Sequence, residues 1–94
     1  MDFVFEWDEK KARINLKKHK VSFDEAQTVF VDYLSVIKPD AEHSDLEERM
    51  LIMGMTYKSR VVVVSYAEHG DKIRLISARK ATRNERKQYE EDDF

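Results

Sequence analysis

Four consecutive valines, Val61 to Val64, sit inside an apolar run from Arg60 to Ala67 that is flanked by two similar runs, Arg49–Thr56 and Lys72–Ala78. The connections hold only three or four residues and carry Ser59 or Gly70. Such spacing predicts an antiparallel β-meander. Because the valine strand is apolar on both of its faces, it should be central and covered on both sides.

The segments around the meander supply helices. Phe3, Phe5 and Trp7 alternate with charged or small neighbours as a short β-like entry, and Asp8 is placed to cap a helix running to about His19. Ser22 and Glu25 form a capping-box pattern, with Val21 and Ala26 as its hydrophobic staple. The helix they open should reach about Val31 and bury Phe23, Ala26 and Phe30. His19-Lys20-Val21 is a link short enough to fold the two helices into a hairpin. Leu34–Ile37 reads as a short strand ended by Pro39, and residues 38–48 as a polar loop. After the meander, Thr82 and Glu85 repeat the capping-box pattern and open a terminal helix carrying Arg83, Arg86, Lys87 and Tyr89. Its acidic end, Glu90 to Asp93, opposes the helix dipole and should fray. The expected fold is α+β: an N-terminal helical hairpin, an antiparallel meander and a C-terminal helix, in one domain spanning residues 1–94.

A chain of 94 residues with 41% hydrophobic content can fill one core but not two. The absence of cysteine removes disulfides, zinc–thiolate sites and thiol nucleophiles, and fits a reducing cytoplasm. The opening MDFVFEWDEKK lacks the basic and apolar regions of a signal peptide, and no apolar run has the length of a membrane span.

The formal charge of −2 conceals an uneven distribution. From Lys72 to Lys87 there are seven basic residues (Lys72, Arg74, Arg79, Lys80, Arg83, Arg86, Lys87) against Glu85 alone, a local excess of six. Strand alternation puts Ile73, Leu75, Ser77 and Arg79 on one face and Arg74, Ile76, Ala78 and Lys80 on the other. Arg79 thus emerges at the strand end, Lys80 follows, and Arg83 enters the first helical turn, where free N–H groups already favour an anion. A phosphate site is one reading; a solvated basic face paired with acids elsewhere is the other. On the first helix, Lys11, Asn15 and Lys18 form a polar stripe at i, i+4 and i+7, suited either to binding or to fixing the helix onto the sheet. His19 is placed as a helix-terminal cap or an acid–base group, while His43 and His69 fall in a loop and a turn. Glu47, Glu48 and Arg49 form a charged strand entrance in which an acid could act as a base. No metal-ligand spacing, nucleophile elbow, phosphate loop or dinucleotide fingerprint is present.

Taken together, Phe5-Glu6-Trp7-Asp8, Lys11, Asn15, Lys18-His19, Val21-Ser22-Phe23 and Glu25-Ala26 resemble the opening of the BrnT toxin family. Glu48-Arg49, the Val-rich strand ending in Tyr66, Ile73 through Arg79, Ala81-Thr82, Glu85 and Tyr89 extend the resemblance over residues 3–89. It implies a RelE/ParE-like fold and the toxin of a type II toxin–antitoxin pair, a metal-independent ribonuclease that needs no cofactor. The implied partners are RNA and a BrnA-type antitoxin that carries operator DNA binding. On this resemblance the catalytic candidates are Arg79, Lys80, Arg83, His19, Glu48 and Tyr66, and the RNA-binding candidates are Lys11, Asn15, Lys18, Arg74 and Arg86. Lys80 stands where similar sequences often have Arg, keeping charge but losing a bidentate fork. A non-catalytic module gripping nucleic acid or an acidic partner, and a gyrase-inhibiting toxin of the ParE type, remain alternatives.

Overall fold

The computed structural model describes residues 3–43 and 48–91. Glu47 and the acidic positions 92–93 lie outside the described residues, and the side chain of His43 is likewise not described. The elements run β1 (Phe5–Glu6), α1 (Glu9–His19), α2 (Phe23–Ala26) with a 3-10 continuation over Gln27–Val31, β2 (Val36–Pro39), a 3-10 turn (Ala41–His43), β3 (Arg49–Met55), β4 (Val61–His69), β5 (Lys72–Lys80) and α3 (Arg83–Glu91).

The five strands form one sheet in the order β1-β5-β4-β3-β2. Strands β2 to β5 pair antiparallel, with β4 central as the valine run required, and Val61 through Ala67 are all buried. The sheet is nevertheless mixed, because β1 pairs parallel to β5 through Phe5 opposite Ile73 and Glu6 opposite Arg74. The β-like entry read from Phe3, Phe5 and Trp7 is this strand, but its alternation does not tell which edge it joins or in which direction.

The inner face carries the core, where Val62, Val64, Tyr66, Ile52, Leu75 and Ala78 meet Val21, Phe23, Ala26 and Val29 from α2 and its 3-10 continuation. Phe30 stacks edge-on against Phe5 and Tyr66 with ring centroids 5.1 and 5.0 Å apart. Gly54 permits this close approach, since a Cβ there would stand 3.2 Å from Val29 Cβ and 3.1 Å from Ser35 Cβ.

Two buried polar joints fix the helices to the sheet. Asn15 is the buried residue of α1. Its side chain donates to the carbonyls of Val21 and Ala78 at 3.0 and 2.9 Å and accepts the Ala78 N–H at 3.0 Å. Where β1 has ended, this amide acts as a substitute strand and satisfies both main-chain groups of the β5 edge. Asn15 therefore holds the fold together and is removed from the RNA-binding candidates. The second joint is Glu25, 1% exposed, whose carboxylate accepts from Thr56 Oγ1 at 2.7 Å and Arg60 Nε at 2.9 Å, while Arg60 also donates to the Lys20 carbonyl at 3.0 Å. The Arg60 guanidinium holds the Glu25 carboxyl below its ordinary value, against the effect of burial.

On the outer face lies α3, with no buried residue of its own. No helix among the described residues is long and apolar enough to cross a membrane.

Candidate functional site

A bulge in β5 decides which side chains share the outer face. Ser65 pairs with Ser77, but Tyr66 pairs with Leu75, so Ile76 is an extra residue on β5. Alternation breaks there: Leu75 and Ala78 both enter the core, and Arg74 moves to the same face as Ser77 and Arg79. The uninterrupted alternation that would separate Arg74 from Arg79 does not hold. Arg74 pairs with Ala67 and Arg79 with Val63, four residues apart along β4. At ~3.3 Å per residue the two guanidinium-bearing rows are about 13 Å apart. Arg49 on β3 also pairs with Ala67, so a methyl group separates Arg49 and Arg74 in their common row.

Arg79 is bound by a carboxylate of the chain itself. Its Nη1 and Nη2 donate to Glu85 Oε1 and Oε2 at 2.7 and 2.9 Å, a bidentate fork. Glu85 also completes a reciprocal cap: its own N–H donates to Thr82 Oγ1 at 3.2 Å, and the Thr82 N–H returns to Glu85 Oε1 at 2.8 Å. The Arg79 guanidinium beside it brings the Glu85 carboxyl down to about 2. Farther along α3, the Tyr89 hydroxyl donates to Asp32, a carboxylate that also accepts the Leu34 and Met55 N–H groups at 3.0 and 2.8 Å. Burial, helped by the bond to Asp32, pushes the Tyr89 phenol up to about 12.

Between α3 and the sheet lies an open cleft of about 380 Å³. Its floor is Val36, Leu51, Met53 and Val63, and Lys38, Glu85 and Gln88 stand at its rim. Val63 pairs with Arg79, so the Arg79–Glu85 fork sits at the margin of this cleft.

The expected convergence of three cations does not form. Lys80 pairs with Val62 of the core face, opposite to Arg79, and is exposed, as is Arg83. Arg86 is exposed and approaches Glu90 at 4.0 Å, the ordinary i,i+4 contact of a solvated helix.

A second cluster lies at the other end of the outer face. Glu6 Oε2 is 2.7 Å from His69 Nδ1 and accepts from Arg74 Nε at 3.2 Å, while Arg74 Nη2 lies 3.1 Å from His69 Nδ1. The bond to His69 holds the Glu6 carboxyl below its ordinary value. His69, read from the sequence as a turn residue, is thus tied to the β1 edge.

The candidate bases stand elsewhere. Glu48 and Tyr66 line a cleft with Ile37, Met50 and Glu68, away from Arg79. Two carboxylates beside the Tyr66 phenol, which burial pushes up, make a poor seat for a phosphate. His19 is half-buried in the last turn of α1, and Lys11 and Lys18 are exposed on the same helix. No three His, Asp or Glu side chains among the described residues are grouped to share a metal ion. The member of this arrangement that sequence reasoning missed is Glu85, legible as a helix cap but not as the partner of an arginine six residues earlier.

Comparison with known proteins places this arrangement. A family described as "Ribonuclease toxin, BrnT, of type II toxin-antitoxin system" matches residues 7–85. No curated protein matches the chain. Among solved structures, the 1.1 Å crystal structure of the Brucella abortus ribonuclease toxin BrnT superposes with a TM-score of 0.68 at 21% identity, covering 87% of this chain and 100% of that one. At that identity the likeness speaks for the fold: the α+β arrangement is shared.

Proposed function

The chain belongs to the BrnT family of type II toxin–antitoxin toxins, and from that premise we propose that it is a metal-independent endoribonuclease whose phosphate-holding cation is Arg79. In the proposed reaction the ribose 2′-hydroxyl attacks the adjacent phosphorus, the P–O5′ bond breaks, and a 2′,3′-cyclic phosphate and a 5′-hydroxyl result. Negative charge grows on the phosphoryl oxygens during attack, and a guanidinium fork within reach of them lowers that barrier. The observation that carries the reading is the β5 bulge, which brings Arg74 onto Arg79's face about 13 Å away and leaves Arg79 beside an open cleft. In this reading Arg74 holds a phosphate farther along the same strand. Lys80, Arg83, Arg86, Lys11 and Lys18 add attraction from the periphery without touching the reacting atoms.

Membership in a type II system implies a protein antitoxin. We propose a BrnA-type antitoxin that links the toxin to operator DNA, acting in the cytoplasm, and we read the fold as RelE-like.

The test is antitoxin-free protein incubated with RNA in EDTA. Native protein should yield fragments, and Arg79→Ala, with an unchanged circular dichroism spectrum, should lose about 100-fold or more in rate. Undiminished cutting by Arg79→Ala would remove the assignment. Intact RNA at high protein concentration would favour a non-catalytic binding module or a gyrase inhibitor.

A further inference from the structure

We infer that the Glu85 carboxylate is an intramolecular stand-in for the RNA phosphate on Arg79, so that α3 restrains substrate binding until it moves aside. The inference rests on the phosphate role proposed above and adds its regulation.

The geometry of the contact is that of the ligand it replaces. Two parallel N–H···O bonds of 2.7 and 2.9 Å join the guanidinium fork to two oxygens of one anion, as they would to a phosphodiester. Glu85 occupies the Nη1–Nη2 edge of Arg79, so a phosphate seated on that edge must displace it. The helix that carries Glu85 is held in a way that permits this. It buries no residue, and polar contacts tie it to the rest of the fold, Arg79 at its first turn and Asp32 at Tyr89. Between those two ties lies the apolar cleft. The pair is also reachable: the Arg79 and Glu85 side chains are 40% and 27% exposed, whereas in the Arg60–Glu25 fork the guanidinium is 29% and the carboxylate 1% exposed. With its carboxyl near 2, Glu85 stays anionic at neutral pH, so it competes continuously and is too weak a base to take the 2′-hydroxyl proton.

The experiment measures binding of a 2′-O-methyl RNA oligonucleotide, which lacks the nucleophile and cannot be cut, by fluorescence anisotropy. Glu85→Gln keeps a side chain able to cap Thr82 but removes the competing charge. It should bind about threefold to fivefold more tightly than native protein, with a steeper salt dependence. Adding Arg79→Ala should abolish that gain. Tyr89→Phe, which releases the far end of α3 without touching the fork, should tighten binding in the same direction by a smaller factor. If Glu85→Gln fails to fold, Tyr89→Phe decides alone: tighter binding supports the restraint, unchanged or weaker binding overturns it. Should neither variant gain affinity while Arg79→Ala weakens binding, the restraint is refuted and the phosphate site stands. Should Arg79→Ala bind as tightly as native protein, the phosphate reading fails and the restraint falls with it.

Discussion

Ser22-x-x-Glu25 and Thr82-x-x-Glu85 are the same four-residue motif used to different ends. In both, the hydroxyl accepts the glutamate N–H, at 3.0 and 3.2 Å, and in both the carboxylate meets an arginine contributed by the sheet side of the molecule. From there they part. Glu25 turns away from its cap, is sealed under the β3–β4 turn, and binds Thr56 as well as Arg60. Glu85 stays with its cap, binding the Thr82 N–H, and stands at the rim of a cleft. The motif fixes where a helix starts; burial decides whether its carboxylate becomes a permanent joint or an exchangeable contact.

Four measurements would break or sharpen this contrast. Glu25→Ala should cost about 2 kcal/mol in urea unfolding, because it leaves the buried Thr56 hydroxyl and the Arg60 guanidinium without their carboxylate. A loss below about 1 kcal/mol, the ceiling for exposed pairs, would erase the distinction. Asn15→Ala should cost about 2 kcal/mol, since it leaves the Ala78 N–H and two carbonyls without a partner. Glu85→Gln should lower global stability by less than about 1 kcal/mol, as expected for a half-exposed ion pair. Finally, the Glu85 carboxyl, followed by carbon NMR, should titrate near 2 rather than its ordinary 4.5. Its folded value being depressed, the contribution of the pair to stability is complete above about pH 4.5 and is lost as pH falls toward 2. A midpoint above 4 would mean that Arg79 does not hold it.

Much of the fold was legible because it rests on local rules. The valine run identified the central strand, Asp8 caps α1 by accepting the Lys11 N–H at 3.1 Å, and Thr82 opens α3. What was hidden depends on contacts between distant residues. The β-like alternation of Phe3, Phe5 and Trp7 was visible, but not that Phe5 and Glu6 would pair parallel to β5, the last strand in the chain. The stripe Lys11-Asn15-Lys18 was visible, but not that Asn15 alone would be drawn inward by the uncovered edge at Ala78. For the site, the basic run was plain from Lys72 to Lys87. Its dispersal was not, because the side taken by Arg74 depends on the bulge at Ile76, which no glycine marks.

That extra residue makes the parity of β5 a functional quantity. Arginines an odd number of positions apart lie on the same side only because the strand slips phase once between them. Deleting Ile76 would restore an unbroken ladder, with Leu75 and Ser77 still opposite Tyr66 and Ser65. With β4 in its present register, Arg74 and Arg79 would then stand four positions apart and stay on one side, whereas one more residue inserted between them without a bulge of its own would put half of β5 out of phase and turn Leu75 or Ala78 out to water. In comparing related chains, the count of residues between these two arginines, even or odd, is therefore as informative as their identity.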